Sequence, residues 1–254
     1  MNDFSRSYSN APAMDMSTDA GLRQFMLGVY NKMGLGLLIS AALAFLTTSV
    51  PPVTSLLYEV QVVATPEGPA RYVGRTGLGT LIAFSPLIIL FGSMFFMRSP
   101  SKSGANLLYW SVVSLIGAGL GIWGLQYTGQ SVAQVFMITA AAFAGMSLFG
   151  YTTKRNLTGL GSFLIMGVIG LFVALIVNMF LQSGVLMMAI SAIGVLIFAG
   201  LTAYDTQRLK LTYYQLGGDK TAMSVATSYG ALSLYINFIN MFQFLMMLLG
   251  GRQE

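Results

Sequence analysis

The chain has 254 residues, of which 55% are hydrophobic and only 8% are charged, whereas about a quarter of the residues in a soluble domain are charged. This composition excludes an ordinary soluble domain and predicts a polytopic membrane protein. The chain has no Cys and no His, which excludes disulfides, thiolate chemistry and Ser-His or Cys-His hydrolases, and argues against a zinc protease. We therefore expect that the protein is not an enzyme and that it carries no cofactor.

The first 24 residues are polar and rich in Ser, Asn and Asp, without apolar periodicity. We predict a disordered cytoplasmic tail at 1–24 and a single transmembrane domain at 25–254. A cleaved signal peptide is the alternative, because Ala42, Leu43 and Ala44 match a small-x-small cleavage pattern. That triplet lies in the middle of a long apolar run and far from the start, which argues against a signal peptide.

Seven apolar segments follow the tail, each long enough to cross a bilayer, which takes about 20 residues in a helix. Only a helix satisfies its own backbone hydrogen bonds in lipid at this length. The sequence therefore predicts an all-α fold of seven transmembrane helices. Their predicted ranges are 30–50, 79–97, 105–125, 131–151, 157–181, 184–209 and 224–249.

The net charge of +5 does not indicate a nucleic-acid surface, because the basic residues stand singly or in pairs between apolar runs. With seven spans, most of them fall on one side of the membrane: Arg6, Arg23, Lys32, Arg98, Lys102, Lys154, Arg155, Arg208, Lys210 and Lys220. The other side carries Arg71, Arg75 and Arg252. Positive-inside bias then predicts a multi-pass inner-membrane protein with its N-terminus in the cytoplasm and its C-terminus outside. A six-span alternative with a re-entrant last segment remains open.

The connections between segments carry further predictions. The longest, at 51–77, alternates apolar and polar residues around a Pro-Glu-Gly-Pro turn and predicts a small hairpin. The connections between segments three and four and between five and six are very short, so we expect those helices to pair as antiparallel neighbours. Gly217, Gly218 and Asp219 predict the turn between segments six and seven.

One acid, Asp205, lies at the end of a hydrophobic segment, and a carboxylate at that depth is costly in a membrane protein. Thr202, Asp205, Thr206 and Leu209 follow helical spacing and share a face of segment six. Two interpretations remain open. Asp205 is either a helix-end carboxylate paired with Arg208, or a buried acid that binds a cation or a proton.

Segment seven carries a polar stripe at Ser233, Asn237 and Asn240, which share one face of a helix. Such a stripe faces other helices rather than lipid, so we expect the last helix to be central in the bundle. The two Asn residues are either hydrogen-bonding glue between helices or, in the case of Asn237, the partner of Asp205.

Three stretches of the chain together resemble one family. Residues 139–154 read TAAAFAGMSLFGYTTK, residues 200–207 read GLTAYDTQ, and residues 231–240 read ALSLYINFIN. These motifs resemble the Bax inhibitor-1 superfamily (TMBIM), and in particular its bacterial YccA-like branch. The resemblance covers about residues 25–250.

The resemblance implies a seven-helix bundle with its last helix at the centre. It also implies a pH-sensitive calcium leak controlled by two aspartates, on helices six and seven. The first matches Asp205, which becomes a possible calcium ligand, whereas the position of the second is occupied by Asn237. Some members also have a latching arginine on helix two, but segment two holds only Arg98, at its end, so that role is not carried over.

The Asn237 position has physical consequences for an ion site. Two close carboxylates raise one pKa by like-charge repulsion, and that effect is absent when one partner is an amide. The site also offers one charge to a divalent cation, and calcium prefers several oxygen ligands. We therefore expect weaker divalent selectivity and a different pH midpoint than in relatives with two aspartates.

The resulting hypothesis is an inner-membrane protein that mediates or gates a pH-dependent cation leak, calcium included, with Asp205 and Asn237 as the gate. Thr202, Thr206, Ser233 and Asn240 would support it. The expected partners are lipid and calcium or protons, with no nucleic acid. The alternative is a regulatory protein that modulates a membrane-anchored AAA protease through the 1–24 tail, and deleting that tail would distinguish the two. A proton-coupled transporter is a third hypothesis, for which the sequence offers no inverted repeat.

Overall fold

The computed structural model describes residues 19–65, 68–96 and 100–251. Within these residues the chain forms eight helices and one two-stranded hairpin. In chain order the elements are α1 (Ala20–Ser49), α2 (Pro51–Leu57), β1 (Tyr58–Thr65), β2 (Gly68–Arg75), α3 (Gly77–Phe96), α4 (Lys102–Gln126), α5 (Gly129–Thr152), α6 (Thr158–Leu181), α7 (Gly184–Gln215) and α8 (Lys220–Leu249).

All of the helices except the short α2 are long and apolar enough to cross a bilayer, with spans of 19 to 32 residues. This confirms the predicted all-α polytopic membrane protein with seven transmembrane helices. The predicted segments agree with the observed helices within a few residues, except at the start of α1 and at the end of α7.

Helix α1 begins at Ala20 and so includes residues 20–24, which the sequence had assigned to the polar tail. Asp19 caps this helix, because its carboxylate accepts a hydrogen bond from the Leu22 amide at 3.0 Å. Leu22 and Phe25 are buried. The first turns of α1 are therefore a capped, half-polar helix that hydropathy alone does not reveal. The rest of the predicted tail, residues 1–18, lies outside the described residues.

Helix α7 continues six residues beyond the predicted end at 209 and stops at Gln215. Arg208 and Lys210, which the charge pattern assigned to a connection, therefore lie inside the helix. The predicted turn is confirmed: Gly217 and Gly218 have φ values of 56° and 90°, a left-handed conformation that glycine adopts without a Cβ clash. The next helix, α8, starts directly after this turn, with Asp219 as its cap.

The predicted hairpin in the longest connection is confirmed as β1 and β2, which pair antiparallel with Tyr58 opposite Arg75. The residues at its tip, 66 and 67, lie outside the described residues. The hydroxyl of buried Tyr58 donates to the backbone oxygen of Ala118 in α4 at 2.7 Å and ties the hairpin to the bundle. The short helix α2 was not predicted.

Helix α8 packs against α1, α4, α5 and α7. It is the most buried of the long helices: 61% of the residues in its most apolar stretch are buried, against 39% or less in the other spans. The polar stripe of α8 thus lies on a helix with protein neighbours on several sides, as its sequence required. The central position of α8 in the bundle stays a prediction.

The short connections had different outcomes. Helices α6 and α7 do pack together, as expected. Helices α4 and α5 are joined by only Tyr127 and Thr128 but hardly touch, because α4 packs against α1, α3 and α8, while α5 packs against α7 and α8. A short loop fixes the ends of two helices side by side, yet it leaves the rest of each helix free to diverge.

Helices α5 and α7 approach each other closely at Gly150. A Cβ atom at this position would lie 2.1 Å from the backbone oxygen of Ala203, a distance that forces the two helices apart. We expect Gly150→Ala to lower the free energy of unfolding by about 1–3 kcal/mol, as overpacking typically does. The measurement is the thermal unfolding midpoint of the detergent-solubilised protein.

Gly145→Ala is the matched control, because Gly145 lies on the same helix and a Cβ there meets nothing within 4 Å. The control should keep the midpoint of the original protein. Equal midpoints for the two variants would show that the α5–α7 contact is not tight at Gly150.

Candidate site around Asp205

Asp205 on α7 is 5% exposed and lies between two helices. Its Oδ2 accepts hydrogen bonds from Ser233 Oγ at 2.6 Å and from Asn237 Nδ2 at 2.8 Å, both on α8. Its Oδ1 lies 3.0 Å from a guanidinium nitrogen of Arg208. The carboxylate thus has donors on both oxygens, and it joins α7 to α8.

Helical spacing explains this arrangement. Arg208 follows Asp205 by three residues and so shares its face of α7, whereas Ser233 and Asn237 are separated by one turn on α8. The antiparallel turn at residues 217–219 places the two faces opposite each other. The sequence predicted that Asp205 and Asn237 lie at a similar depth, and the structure brings the two side chains into contact.

Asp205 combines the ion pair of one interpretation with the burial of the other, while its binding of a cation or a proton stays a prediction. It is paired with Arg208, whose side chain is 49% exposed, and it is also buried between helices. Burying a charged group is unfavourable unless it is paired and hydrogen-bonded, and three donors meet that requirement here. The guanidinium of Arg208 also lies 5.6 Å from the ring of Tyr204, which holds it over the carboxylate.

The other polar residues predicted to support the site bond elsewhere. The hydroxyls of Thr202 and Thr206 donate to backbone oxygens one turn earlier in α7. The amide of Asn240 donates to the backbone oxygen of Ile236 in α8 at 2.8 Å. Of the four predicted supporting residues, only Ser233 contacts the Asp205 carboxylate.

Thr206 instead belongs to a hydroxyl chain that sequence reasoning missed. Its Oγ1 lies 3.1 Å from Ser147 Oγ in α5, which in turn is hydrogen-bonded to the Tyr30 hydroxyl in α1. The chain thus links α7, α5 and α1 immediately beside Asp205. The only signal was that Ser147 falls within one of the three family-like stretches.

Two further side chains on α7 hold the connection between α5 and α6. Gln207 accepts from the Leu157 amide at 2.8 Å and donates to the Arg155 backbone oxygen at 2.7 Å. The buried ammonium of Lys210 donates to the backbone oxygen of Tyr151 at the end of α5 and lies 5.0 Å from its ring. Its charge thereby satisfies a carbonyl oxygen left over at the helix end.

A separate polar cluster joins α1, α4 and α8 around Lys32. The Lys32 ammonium donates to Asn106 Oδ1 and, at 2.7 Å, to Ser228 Oγ. Its backbone oxygen accepts from the Tyr109 hydroxyl at 2.7 Å. In the sequence Lys32 had served only as a topology signal, because a lone lysine in an apolar run does not reveal its partners.

The chemistry of the site bears on calcium. Calcium takes six to eight oxygen ligands, often from more than one carboxylate. In the parts of the chain that the structure describes, no three Asp or Glu residues cluster, and Asp205 faces donors on both oxygens. A cation can reach this carboxylate only by displacing Arg208, so the observed arrangement does not fit a resident calcium ion.

The fold and the site together define a polytopic helical membrane protein in which one buried carboxylate joins the last two transmembrane helices. Residues 22–254 match the model of the family described as inhibitor of apoptosis-promoting Bax1. The chain belongs to this family, the Bax inhibitor-1 family, which confirms the resemblance found in its motifs.

Individual relatives agree with this assignment. The chain is 58% identical to a protein of Caulobacter vibrioides over the full length of both, and 40% identical to protein RP147 of Rickettsia prowazekii, again over both full lengths. It is 37% identical to the inner membrane protein YbhL of Escherichia coli strain K12, over 92% of this chain and 94% of YbhL.

Asn237 and Asn240 allow a test of what holds the site together. Asn237→Ala removes a donor to a buried carboxylate, and hydrogen bonds to charged groups contribute about 1.5–3 kcal/mol. We expect a lower thermal unfolding midpoint at neutral pH. Asn240→Ala removes only a bond within its own helix and should change the midpoint less. A larger loss for Asn240→Ala would contradict this account of the site.

Proposed function

We propose that the protein mediates or gates a pH-dependent leak of cations, calcium among them, and that Asp205 is the gate. The observation that carries the proposal is the buried Asp205 carboxylate, bonded at once to Arg208, Ser233 and Asn237 across two helices. An intramembrane acid is costly and rarely kept without a functional role. Membership of the Bax inhibitor-1 family supports the same class of function.

The proposed orientation follows from charge. Helix α1 begins at one end of the bundle, and exposed basic side chains lie at the same end, on Arg23, Lys102, Lys154, Arg155 and Lys220. We call this end the basic end. Positive-inside bias assigns the basic end to the cytoplasm, in a membrane equivalent to the inner membrane in which YbhL resides.

The gate would work through the charge on Asp205. While the carboxylate is ionised, it holds Arg208 and accepts from two α8 side chains, so α7 and α8 are latched. Protonation removes the charge, ends the ion pair and weakens the carboxyl as an acceptor. Arg208, already half exposed, then turns to water. Falling pH therefore biases the helix pair away from the latched arrangement.

The proposed switch takes up a single proton. The groups that face the carboxylate are Arg208 on its own helix and the neutral Ser233 and Asn237 on α8. Among the described residues no second carboxylate faces Asp205, so the proposed switch rests on this one acid. Calcium would then meet Asp205 only in passing, once the arginine has moved.

Asp205→Asn tests the gate directly. The variant keeps the shape of the side chain but carries no charge at any pH, as if permanently protonated. Calcium flux into proteoliposomes should then lose its pH dependence and stay at the level that the original protein reaches in acid. Asp219→Asn is the control, because Asp219 is an exposed helix cap at the α7–α8 turn. A flux curve for Asp205→Asn that still follows pH would refute the mechanism.

Asn237→Asp tests the meaning of the missing second acid. A carboxylate at this position would lie against Asp205 and repel it, so the site would carry two like charges in place of one. The midpoint of flux against pH should move, and selectivity for divalent over monovalent cations should rise. Identical flux profiles for the variant and the original protein would remove the reason for treating Asn237 as decisive.

Modulation of a membrane-anchored AAA protease stays the alternative proposal, with the N-terminal tail as its exposed handle. The cap at Asp19 sharpens the deletion that separates the two functions. A truncation that removes residues 2–18 leaves the Asp19–Leu22 hydrogen bond intact, whereas one that continues to residue 24 removes the first turn of α1 and confuses loss of the tail with loss of the fold.

A further inference from the structure

A groove opens between α1 and α5 at the basic end of the bundle. The two helices flank it because α1 packs against α4 and α8, while α5 packs against α7 and α8. The groove encloses about 550 Å³. Its floor is the hydrogen bond between the hydroxyls of Tyr30 and Ser147, which bridges the two helices at that depth.

The walls of the groove are apolar. Leu27 on α1 and Leu148 on α5 line its rims and are 50% and 64% exposed. Ala144 on α5 also lines the groove, and its small side chain takes up little of the space. At the inner end the ring of Phe143 meets Phe238 of α8 edge-on, with their centroids 5.6 Å apart. The groove is therefore a slot with apolar sides that opens outward from the bundle.

The mouth of the groove is cationic. Arg23, in the first turn of α1, lines it and forms no ion pair with any carboxylate in the described ranges. The nearest acid in the helix, Asp19, is engaged as the cap of α1 and accepts from the Tyr213 hydroxyl at 3.3 Å. The guanidinium of Arg23 thus has no counter-ion among the described residues at the point where the apolar slot reaches the end of the bundle.

We propose that this groove binds one anionic phospholipid, with an acyl chain along the slot and the phosphate at Arg23. The side walls at Leu27, Ala144 and Leu148 offer a hydrated ion no polar partner, whereas an acyl chain buries them and gains the hydrophobic contribution. Guanidinium matches phosphate geometry with two parallel hydrogen bonds. Basic side chains at a membrane surface also draw anionic lipids towards it.

The ligand would act on the rest of the molecule through the floor of the groove. Ser147 lies under the slot and also bonds to Thr206 on α7. A lipid that fills the slot would hold α1 and α5 at a fixed separation and thereby keep this hydroxyl chain formed. The bound lipid would then fill the space between α1 and α5, which otherwise make few contacts with each other.

Native mass spectrometry of the full-length protein, released from micelles that contain phosphatidylglycerol or phosphatidylcholine, tests the charge at the mouth. The original protein should retain phosphatidylglycerol in preference to phosphatidylcholine. Arg23→Gln should lower the retained phosphatidylglycerol several-fold. Lys102→Gln is the control, because Lys102 is exposed at the same end but does not line the groove, and it should retain as much as the original protein.

A second pair of variants tests the slot. Ala144→Trp should fill the groove and lower phosphatidylglycerol retention several-fold without removing a charge. Ala141→Trp places the same side chain on α5, also at an exposed position, but outside the groove, and should leave retention unchanged. Both variants keep the Tyr30–Ser147 bond, and their thermal midpoints check that they fold.

Three outcomes would overturn the proposal. Equal losses in Arg23→Gln and Lys102→Gln would indicate diffuse charge attraction rather than a site. Full retention in Ala144→Trp would mean that no acyl chain lies in the slot. Competition by inorganic phosphate as complete as that by added phosphatidylglycerol would reduce the site to a headgroup contact.

Discussion

The packing of α7 against α8 depends on one constraint: a carboxylate buried among helices must be surrounded by hydrogen-bond donors. Asp205 meets this constraint with one cation from its own helix and two neutral donors from the next. Because those donors come from both helices, the acid cannot stay satisfied unless α7 and α8 keep their register. A group that is unfavourable to bury thus becomes the element that fixes the position of the last helix, which itself packs against four others.

The same short part of α7 contacts several of the neighbouring elements. Within the six residues from Asp205 to Lys210, α7 presents a carboxylate to α8, a hydroxyl to α5, an amide to the α5–α6 connection and an ammonium to the end of α5. These contacts point in different directions around the helix, so a rotation or shift of α7 disturbs all of them together. In the proposed mechanism, a change at Asp205 would therefore reach several neighbouring elements, as a local electrostatic switch requires.

Much of this could be predicted from the sequence, and the reasons are specific. Asp205, Ser233 and Asn237 were found because helical periodicity and an antiparallel turn determine which faces meet. The start of α1 was missed because its first turns are stabilised by a cap at Asp19 and by the burial of Leu22, neither of which raises hydropathy. The burial of Lys210 was missed for a related reason. A charge pattern shows where basic residues are frequent, but it does not show which of them donates to a carbonyl oxygen at a helix end.

The order of partners along the chain has a consequence for how the protein enters the membrane. Ser233 and Asn237 lie 28 and 32 residues after Asp205. Gly217 and Gly218, which lie between the acid and these two donors, reverse the chain in a tight turn. Arg208 is nearer still. Every group that neutralises the acid is thus supplied by a single helical hairpin, and none has to come from a distant segment. The acid can therefore cross into lipid with its donors already in place, and insertion of the last two helices as a pair avoids a step in which an unpaired charge is exposed to the bilayer.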